Sequence, residues 1–431
     1  MKKLMKLAAV ALMAGASTAA MAETTVIHAG ELLAVPGKAS LKAQTLVIED
    51  GKVKAVVDGY QDAASFGADA KYLDLKDRFV MPGMMDMHVH LQGELGGDRY
   101  RNQVLLSKED VGMQSIMYAQ RTLDAGFTTV RDCGSDTDQM FAFRDAVEKG
   151  WVMGPRIIAA GHVGITGGHV DVDGMNHELL DLYTNKEELC DGADDCTRAT
   201  RHAIKYGADL IKIASTGGVL SDIATGTGQQ MTDDEIKAVV EAAHAMGRKV
   251  ASHAHAAAGI NAALRAGVDS IEHGSYADDE TFKLFKKTGA YLVPTLLAGQ
   301  TVVDLANNTD VLSPAQEEKA LAVGEAMKAN IGKAVKAGVK IAYGTDSGVS
   351  HHGDNAREAV LMVEAGMTPM QVLESATVAA ADLIGKSDSL GTLEPGKAAD
   401  IIATSASPLG DIKELLDVDF VMKGGKVVKQ K

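Results

Sequence analysis

Hydrophobic and polar positions follow one recurring pattern through the middle of the chain. A segment with helical spacing ends on a glycine, and a short aliphatic run with β character follows within one to three residues. Each run closes on a polar or ionisable residue. The pattern occurs at AGFTTVRD (125–132), YGADLIKI (206–213), MGRKVASHAH (246–255), AGVDSIEHG (266–274), TGAYLVPT (288–295) and AGVKIAYGTD (337–346).

Two further runs, DMHVH (86–90) and PRIIAAG (155–161), bring the number of predicted strands to eight. Helical stretches lie between them, and the stretch at 232–246 opens with Thr232 and Glu235 as a capping box. Alternating helices and strands predict βα units and a parallel sheet. Eight such units fit the span of about 250 residues of an α/β protein with a (β/α)8 TIM-like barrel. A doubly wound open sheet would need a phosphate loop, and no G-x-G-x-x-G follows the first strand.

Both ends of the chain have a different pattern. TLVIEDGKVKAVV (45–57) and FVMKGGKVVKQ (420–430) are typical of β-hairpins. Neither end has enough strands for a core of its own. We therefore expect residues 23–80 and 388–431 to combine into one small β-sandwich domain beside a barrel of residues 81–387.

Composition limits the classes of partner. The 431 residues are 46% hydrophobic but only 4% aromatic, which predicts a mainly aliphatic core. The formal net charge is −15, from 58 acidic and 43 basic residues. Because no basic stripe accompanies this acidity, nucleic acids and anionic membranes are poor partners. We expect a small-molecule substrate and a homo-oligomer.

The first 22 residues have the pattern of a signal peptide. Lysines precede an apolar stretch that is too short to span a membrane, and the segment closes on Ala20-Met21-Ala22. We therefore expect cleavage after Ala22 and an exported protein, periplasmic or secreted, without a membrane anchor once the peptide is removed. In an oxidising compartment, a local disulfide between Cys190 and Cys196 is compatible with their spacing, which leaves Cys133 as a free and buried thiol.

Ionisable side chains collect where the predicted strands end, which is the end of such a barrel that carries the chemistry. They are His88 and His90 on the first strand, Asp132 on the second, Lys212 on the fourth, His253 and His255 on the fifth, His273 on the sixth and Asp346 on the eighth, with His351 and His352 just beyond. Taken alone, a His or Asp at a strand end is more often a hydrogen-bonded cap than a metal ligand. Together they predict a metal site, because several strands converge on one mouth.

These motifs resemble the metal-dependent amidohydrolase superfamily. The resemblance rests on HVH after MPGMMD, LIKIASTGG, HAHA, IEHG, YGTDSG and LEPGKAADIIA (393–403), and it covers essentially the whole mature chain. More narrowly, the chain resembles exported Xaa-Pro dipeptidase and lysine/arginine carboxypeptidase-like members through GGH (167–169), HAH (253–255) and HGDNA (352–356).

The resemblance implies a set of metal ligands. His88, His90 and Asp346 would hold the more buried of two zinc ions, and His253 and His273 would hold the second. Lys212, carboxylated on its side-chain nitrogen, would bridge the two ions. Asp346 would also act as the general base that moves a proton from water to the leaving amine.

Residues that bind the substrate are less sharply defined by sequence. A carboxypeptidase-like enzyme must hold a free α-carboxylate, and the candidates are His169, His255 and His352, with Asn355 further out and His162 as an additional candidate. Each of these side chains could instead orient a metal ligand. Glu94 and Asp98, on the loop at 91–103, would attract a cationic side chain or simply be solvated.

The function implied by the resemblance is hydrolysis of the amide bond of a C-terminal amino acid in dipeptides or N-acyl amino acids. Some members of this family also cleave amide conjugates of aromatic amino acids, including mycotoxins. The alternative enzyme is a cyclic amide or lactone hydrolase similar to imidazolonepropionase. A binding protein on a degenerate barrel is a third possibility, and it is disfavoured because none of the expected ligands is missing.

Overall fold

The computed structural model describes residues 23–223 and 225–431. The predicted signal peptide, residues 1–22, lies outside the described residues. Within those ranges, no helix is both long and apolar enough to cross a membrane.

The described part of the chain begins with four strands that belong to a seven-stranded sheet, to which the C-terminal strands also belong. They are β1 (Thr24–Leu32), β2 (Leu41–Glu49), β3 (Lys52–Asp58) and β4 (Lys71–Pro82), and a 3₁₀ turn lies at Ala63–Phe66. The chain returns to this sheet at its other end with β13 (Ile401–Thr404), β14 (Phe420–Lys423) and β15 (Lys426–Gln430), after the strands β5 to β12 described next.

The middle of the chain forms an eight-stranded parallel sheet. Its strands follow chain order from one edge to the other, and they are β5 (Met84–Val89), β6 (Phe127–Asp132), β7 (Arg156–His162), β8 (Leu210–Ala214), β9 (Lys249–Ala254), β10 (Ser270–His273), β11 (Tyr291–Val293) and β12 (Lys340–Ile341). All eight strands lie within or overlap the runs predicted from sequence. Where β5 meets the segment after β12, the Met87 amide donates to the Tyr343 carbonyl at 2.8 Å and the Asp346 amide donates to the His88 carbonyl at 2.7 Å.

Helices alternate with these strands, as the glycine-terminated pattern predicts. They are α1 (Arg99–Leu105), α2 (Lys108–Asp124), α3 (Thr137–Glu148), α4 (His177–Tyr183), α5 (Ala193–Tyr206), α6 (Asp233–Ala245), α7 (Ala257–Ala266), α8 (Asp279–Thr288), α9 (Leu296–Asn308), α10 (Pro314–Ala337), α11 (Arg357–Glu364), α12 (Pro369–Glu374) and α13 (Ala380–Leu383), with a π-helical turn at Ser375–Ala379 and a 3₁₀ turn at Ile412–Leu416.

Helix ends follow the local chemistry of the sequence. The predicted capping box of Thr232 and Glu235 is present at the start of α6. Gly207 and Gly338 end α5 and α10 in the left-handed conformation, with φ of 119° and 74°, which a residue with a Cβ adopts only at a cost. These glycines end the helix and turn the chain back toward the sheet, so the next strand begins within a few residues.

The sheet from the chain ends has the order β15-β14-β13-β4-β1-β2-β3. Its core includes Leu46 and Ile48 of β2 together with Phe420 and Met422 of β14, which stand near opposite edges of that order. The β2–β3 hairpin also bonds the segment before β13, since the Val53 amide donates to the Lys397 carbonyl and the Ala399 amide donates to the Gly51 carbonyl, each at 2.9 Å. The expected pairing of both chain ends in one β-structure is therefore confirmed, and a larger cluster fills the space between the parallel sheet and its helices.

The three cysteines are arranged as the sequence suggested. Cys190 and Cys196 form a disulfide, six positions apart, immediately before and within α5. Cys133 is free and buried. Burial raises the pKa of the Cys133 thiol to about 12, so this sulfur is a neutral part of the core.

Candidate metal centre

A cavity of about 520 Å³ opens at the carboxyl ends of the parallel strands. Most of the residues predicted from sequence line it. The imidazoles are those of His88, His90, His162, His169, His253, His255 and His273, and they are joined by the side chains of Lys212 and Asp346. Residues from five strands and the segments after them thus meet in one place, as the (β/α) pattern requires.

One close group consists of His88, His90 and Asp346. The Asp346 Oδ1 atom lies 3.0 Å from His90 Nε2 and 3.5 Å from His88 Nε2, and the potential ligand atoms of the three residues lie within 4.8 Å of one another. His90 Nδ1 donates to the Gly134 carbonyl at 2.5 Å, and His88 Nδ1 donates to Glu272 at 2.9 Å. The Nε2 atoms of both histidines therefore direct lone pairs toward the Asp346 oxygen. Two imidazole nitrogens and one carboxylate oxygen together form the donor set of a cation site.

Asp346 supports this interpretation by its lack of other partners. Its Oδ1 atom is buried and accepts no well-aligned hydrogen bond from any described residue. A buried carboxylate oxygen without a donor is costly unless a cation neutralises it. The electrostatics show that positive charge is favoured beside this carboxylate: although burial opposes charge on both groups, the Asp346 carboxylate raises the pKa of His90, and His88 and His90 lower the pKa of Asp346.

Lys212 is buried beside the same group. Its Nζ lies 3.4 Å from His88 Nε2, and only 6% of the residue is exposed. Among the ion pairs between described residues, none joins Lys212 to an acid. An ammonium buried without an anion is unstable, whereas a carbamate on the same nitrogen would be an anionic metal ligand. The surroundings of Lys212 therefore fit the predicted modification.

The second predicted pair of ligands, His253 and His273, stands next to this group. Their ring centroids are 4.6 Å apart, and the ring of His273 is 5.3 Å from that of His88. His273 Nδ1 donates to Thr295 Oγ1 at 2.7 Å, which leaves Nε2 free. Burial and neighbouring positive charges hold the pKa of both imidazoles well below the usual value. Both rings are thus neutral, the form in which histidine binds a metal.

Backbone strain is concentrated at the same residues. His273 and Asp346 have φ of 71° and 58°, and Thr295, the partner of His273, has φ of 50°. Side chains other than glycine rarely adopt such angles, and each costs on the order of 1–3 kcal/mol. Of the five described residues other than glycine with positive φ, these three are at the candidate metal centre.

A buried ion pair that the sequence did not reveal supports His88. Glu272 Oε2 accepts from His88 Nδ1, while its Oε1 accepts from Arg131 Nη2 at 2.7 Å and from Ser270 Oγ at 2.5 Å. Glu272 has no exposed surface and Arg131 is 2% exposed. Glu272 and Arg131 are charged residues on strands that were expected to be apolar, and this is the only hint of the pair in the sequence. The sequence does not show that they are partners, because they are far apart along the chain.

Asp86 holds the first strand against the last in a similar way. It accepts from Thr345 Oγ1 at 2.7 Å, from Asn355 Nδ2 at 2.8 Å and from the His88 amide at 3.1 Å. Burial raises the pKa of Asp86 to about 6. Asn355 also accepts from the Gly353 amide, so its amide group joins parts of the protein and does not line the cavity.

The predicted substrate-binding histidines occupy different positions. His169 lines the cavity, its ring is 4.2 Å from that of His253, and its Nδ1 is buried without a partner among the described residues. His255 also lines the cavity and bonds Ser275 Oγ through Nδ1 at 2.7 Å. His352 lies behind the lining, where its Nε2 donates to the carbonyls of His90 and Gly93 at 3.1 Å each.

The remaining polar residues identified from sequence have structural partners. Asp132 accepts from the Leu91 and Gly134 amides and fixes the loop after β5. Glu94 accepts from the His352 amide at 2.8 Å and bonds His351 Nδ1 at 3.0 Å. His162 lines the cavity and donates through Nε2 to the Cys133 carbonyl at 3.0 Å, while Asp98 is exposed.

One side of the cavity is apolar. It is built by α9, α10 and the loop after β8, and its residues include Val219, Leu220, Ala298, Gly299, Val302, Val323 and Met327. Glu358 fixes the start of α9, because its carboxylate accepts from the Leu296 and Leu297 amides at 2.9 and 2.6 Å. Asp346 and Glu94 are the acids in the described lining, and both are already engaged in the contacts above.

Comparison with known proteins agrees with this arrangement. A model described as "Amidohydrolase family" matches residues 79–428. The ochratoxinase of Aspergillus niger is 33% identical to this chain over 434 aligned positions, which cover 95% of this chain and 87% of that protein.

Two solved structures extend the comparison. A Xaa-Pro dipeptidase with bound methionine in its active site superposes with a TM-score of 0.89 and 39% identity, covering 94% of this chain and 99% of that one. A prolidase complexed with N-methylphosphonate-L-proline superposes with a TM-score of 0.85 and 29% identity, covering 95% of this chain and 100% of that one.

Proposed function

The chain belongs to the amidohydrolase family and is a hydrolase acting on amide bonds, and within that family we propose that it is a dinuclear zinc enzyme. Its substrates would be dipeptides or N-acyl amino acids, from which it releases the C-terminal amino acid. The observation that carries this proposal is the convergence of His88, His90 and Asp346 around a carboxylate oxygen without a hydrogen-bond donor.

The donor set suits two ions. His88, His90 and Asp346 would hold one, His253 and His273 would hold the other, and Lys212 as a carbamate would supply an oxygen to each. When bound, zinc supplies Lewis acidity, which makes water a nucleophile near neutral pH and polarises a carbonyl group.

The protein's own contribution is proton transfer and orientation. Asp346, whose low pKa keeps it ionised, accepts the proton of the attacking water and returns it to the nitrogen of the leaving amino acid. His88 is held in one orientation by Glu272, so the reacting groups do not need to reorganise. The Nδ1 atom of His169 has no partner among the described residues, and His169 would use it to hydrogen-bond a substrate oxygen.

We also propose that the released residue is apolar. The wall formed by Val302, Val323 and Met327 is aliphatic, and no acid in the described lining is free to pair with a lysine or arginine side chain. The names of the relatives are consistent with this proposal, since one structure binds methionine and another a proline analogue. Amide conjugates of aromatic amino acids, including mycotoxins, belong to the same substrate class.

The finer points of architecture and location are also proposals. The hydrogen bonds between β5 and the segment after β12 support a closed (β/α)8 barrel, residues 81–387, beside a β-sandwich of residues 23–80 and 388–431. The disulfide between Cys190 and Cys196 supports export to the periplasm or beyond, since such bonds persist in oxidising compartments.

The test is release of amino acids by protein beginning at Glu23 and loaded with zinc in bicarbonate. The panel pairs N-acyl and dipeptide substrates ending in Phe, Met, Pro, Lys or Ala, with cyclic amides and lactones as the competing class. We expect release of apolar residues that Asp346→Asn abolishes and the exposed Asp310→Asn leaves unchanged. Turnover of lactones or cyclic amides alone, with zinc bound, would replace the peptidase proposal by the imidazolonepropionase-like alternative.

A further inference from the structure

A second cavity, of about 730 Å³, lies at the other end of the parallel sheet. Its walls come from the starts of β7, β8 and β9, from the end of α3, from the turn after α13 and from β14. The cavity thus lies where the floor of the parallel sheet meets the sheet built from the chain ends. It is remote from the metal centre, because Arg248 immediately precedes β9 and stands five residues before His253, on the order of 16 Å away along an extended chain.

Positive charge is concentrated here in an otherwise acidic chain. Three acids line the cavity, namely Asp145, Glu148 and Asp209, against seven cations, namely Arg131, Arg144, Arg156, Arg248, Lys249, Lys386 and Lys423. The whole chain has a net charge of −15, so this excess is local. A concave surface lined by one sign of charge concentrates the electric field and attracts counter-ions.

Three of the seven cations are neutralised by acids. Arg144 pairs with Asp209 at 2.9 Å and with Asp145 at 3.0 Å. Arg156 and Arg131 pair with Asp400 and Glu272, each at 2.7 Å. These pairs build the walls of the cavity.

None of the other four cations forms an ion pair with an acid among the described residues. Arg248 Nε is buried without any hydrogen-bond partner. Lys249 and Lys423 donate only to backbone carbonyls, those of Asp382 at 3.3 Å and Gly154 at 2.7 Å. Lys386 is exposed at the rim.

The crowding of like charges has an electrostatic cost. Burial and the charge of Arg156 lower the pKa of Lys423 to about 8, although the charge of Asp400 acts in the opposite direction. A group with this pKa is partly deprotonated at physiological pH, whereas a nearby anion would restore its charge. The protein therefore holds cationic groups around a space that a negative ligand would fill.

We propose that this cavity binds one small multivalent anion carrying phosphate or carboxylate groups. Arg248 and Lys423 would contact it from the parallel sheet and from the sheet of the chain ends, and Lys249 and Lys386 would complete its shell. The ligand would join the two sheets and add stability, because it binds the folded protein and not the unfolded chain.

The proposal predicts how binding will respond to substitution. We would titrate the purified protein with inorganic phosphate and, separately, with succinate by calorimetry at constant ionic strength. We expect one ligand per chain for at least one of the two probes, and the stronger binder identifies the preferred group. Arg248→Gln and Lys386→Gln should each weaken binding at least tenfold and reduce the rise in Tm on adding ligand.

Lys283→Gln is the matched control, because Lys283 is an exposed lysine of α8 outside the cavity. It should bind the anion like the wild type. Neither Arg248→Gln nor Lys386→Gln should alter amide hydrolysis. If neither probe binds beyond a sodium chloride control, or if Arg248→Gln and Lys386→Gln bind as tightly as the wild type, the proposal is wrong. Unchanged binding would place the anion elsewhere, including the metal centre.

Discussion

Glu272 and His88 are joined by a hydrogen bond of 2.9 Å between two side chains that are essentially without solvent contact. The same carboxylate neutralises Arg131. One acid in the interior of the parallel sheet therefore orients a candidate metal ligand and compensates a buried cation. Because of this double role, even replacement of the Glu272 carboxylate by an amide should disturb the protein.

Replacement of Glu272 by glutamine is expected to affect both roles. Loss of the charge leaves Arg131 buried and unpaired, which should lower the free energy of unfolding by about 3–5 kcal/mol. Loss of the carboxylate behind His88 should weaken zinc binding about 10–100-fold. Chemical denaturation and zinc titration measure the two effects. Glu280→Gln, at an exposed pair with Arg265, should change stability by about 1 kcal/mol or less. Equal effects of the two variants would show that burial of the Glu272 pair does not matter.

Met327 is expected to determine preference for the residue released. Met327→Ala removes part of the apolar wall, so kcat/KM for substrates ending in Phe or Met should fall about tenfold, while those ending in Ala change little. Met367→Ala is the control, because Met367 is equally buried but lies outside the described lining. A uniform loss across all substrates would show that Met327 acts through stability and not through contact.

The ion pair of Arg131 and Glu272 is a contact that could not be predicted from the sequence. The eight strands and their terminal histidines were predicted because periodicity and glycine stops are local signals, and even β12, only two residues long, lies within its predicted run. Arg131 and Glu272 are 141 positions apart, and their pairing depends on how the strands curve. The apolar wall of α9 and α10 was missed for the same reason, since aliphatic helical faces are equally typical of a core.

Glu358 should make stability depend on pH. Burial raises the pKa of Glu358 from 4.5 to about 8. Between pH 4.5 and pH 8, Glu358 is therefore protonated in the folded protein but ionised in the unfolded chain. Stability contributed by this group is therefore present below about pH 4.5 and declines as the pH rises toward 8. Glu358→Gln does not titrate, so the stability of the wild type relative to the variant should fall between pH 5 and pH 8. A constant difference in denaturation midpoints across that range would refute the expectation.

The disulfide of Cys190 and Cys196 should contribute modestly to stability. The loop that it closes is short, with a separation of six residues, so the chain-entropy model gives about 2 kcal/mol. We expect Cys190→Ala/Cys196→Ala to lower the free energy of unfolding by that amount, which urea denaturation would show as a lower midpoint. Reduction of the wild type should reproduce the change, and a reductant that leaves the midpoint unmoved would argue against it.

The two-metal centre is tested most directly by anomalous diffraction at the zinc absorption edge from crystals grown with zinc and bicarbonate. Two peaks are expected, one within about 2.0–2.2 Å of His88, His90 and Asp346 and one at the same range from His253 and His273. Density for a carboxyl group should extend from Lys212 Nζ between them. Absence of any peak in this cavity, or a peak bound by other residues, would contradict the assignment of the metal centre.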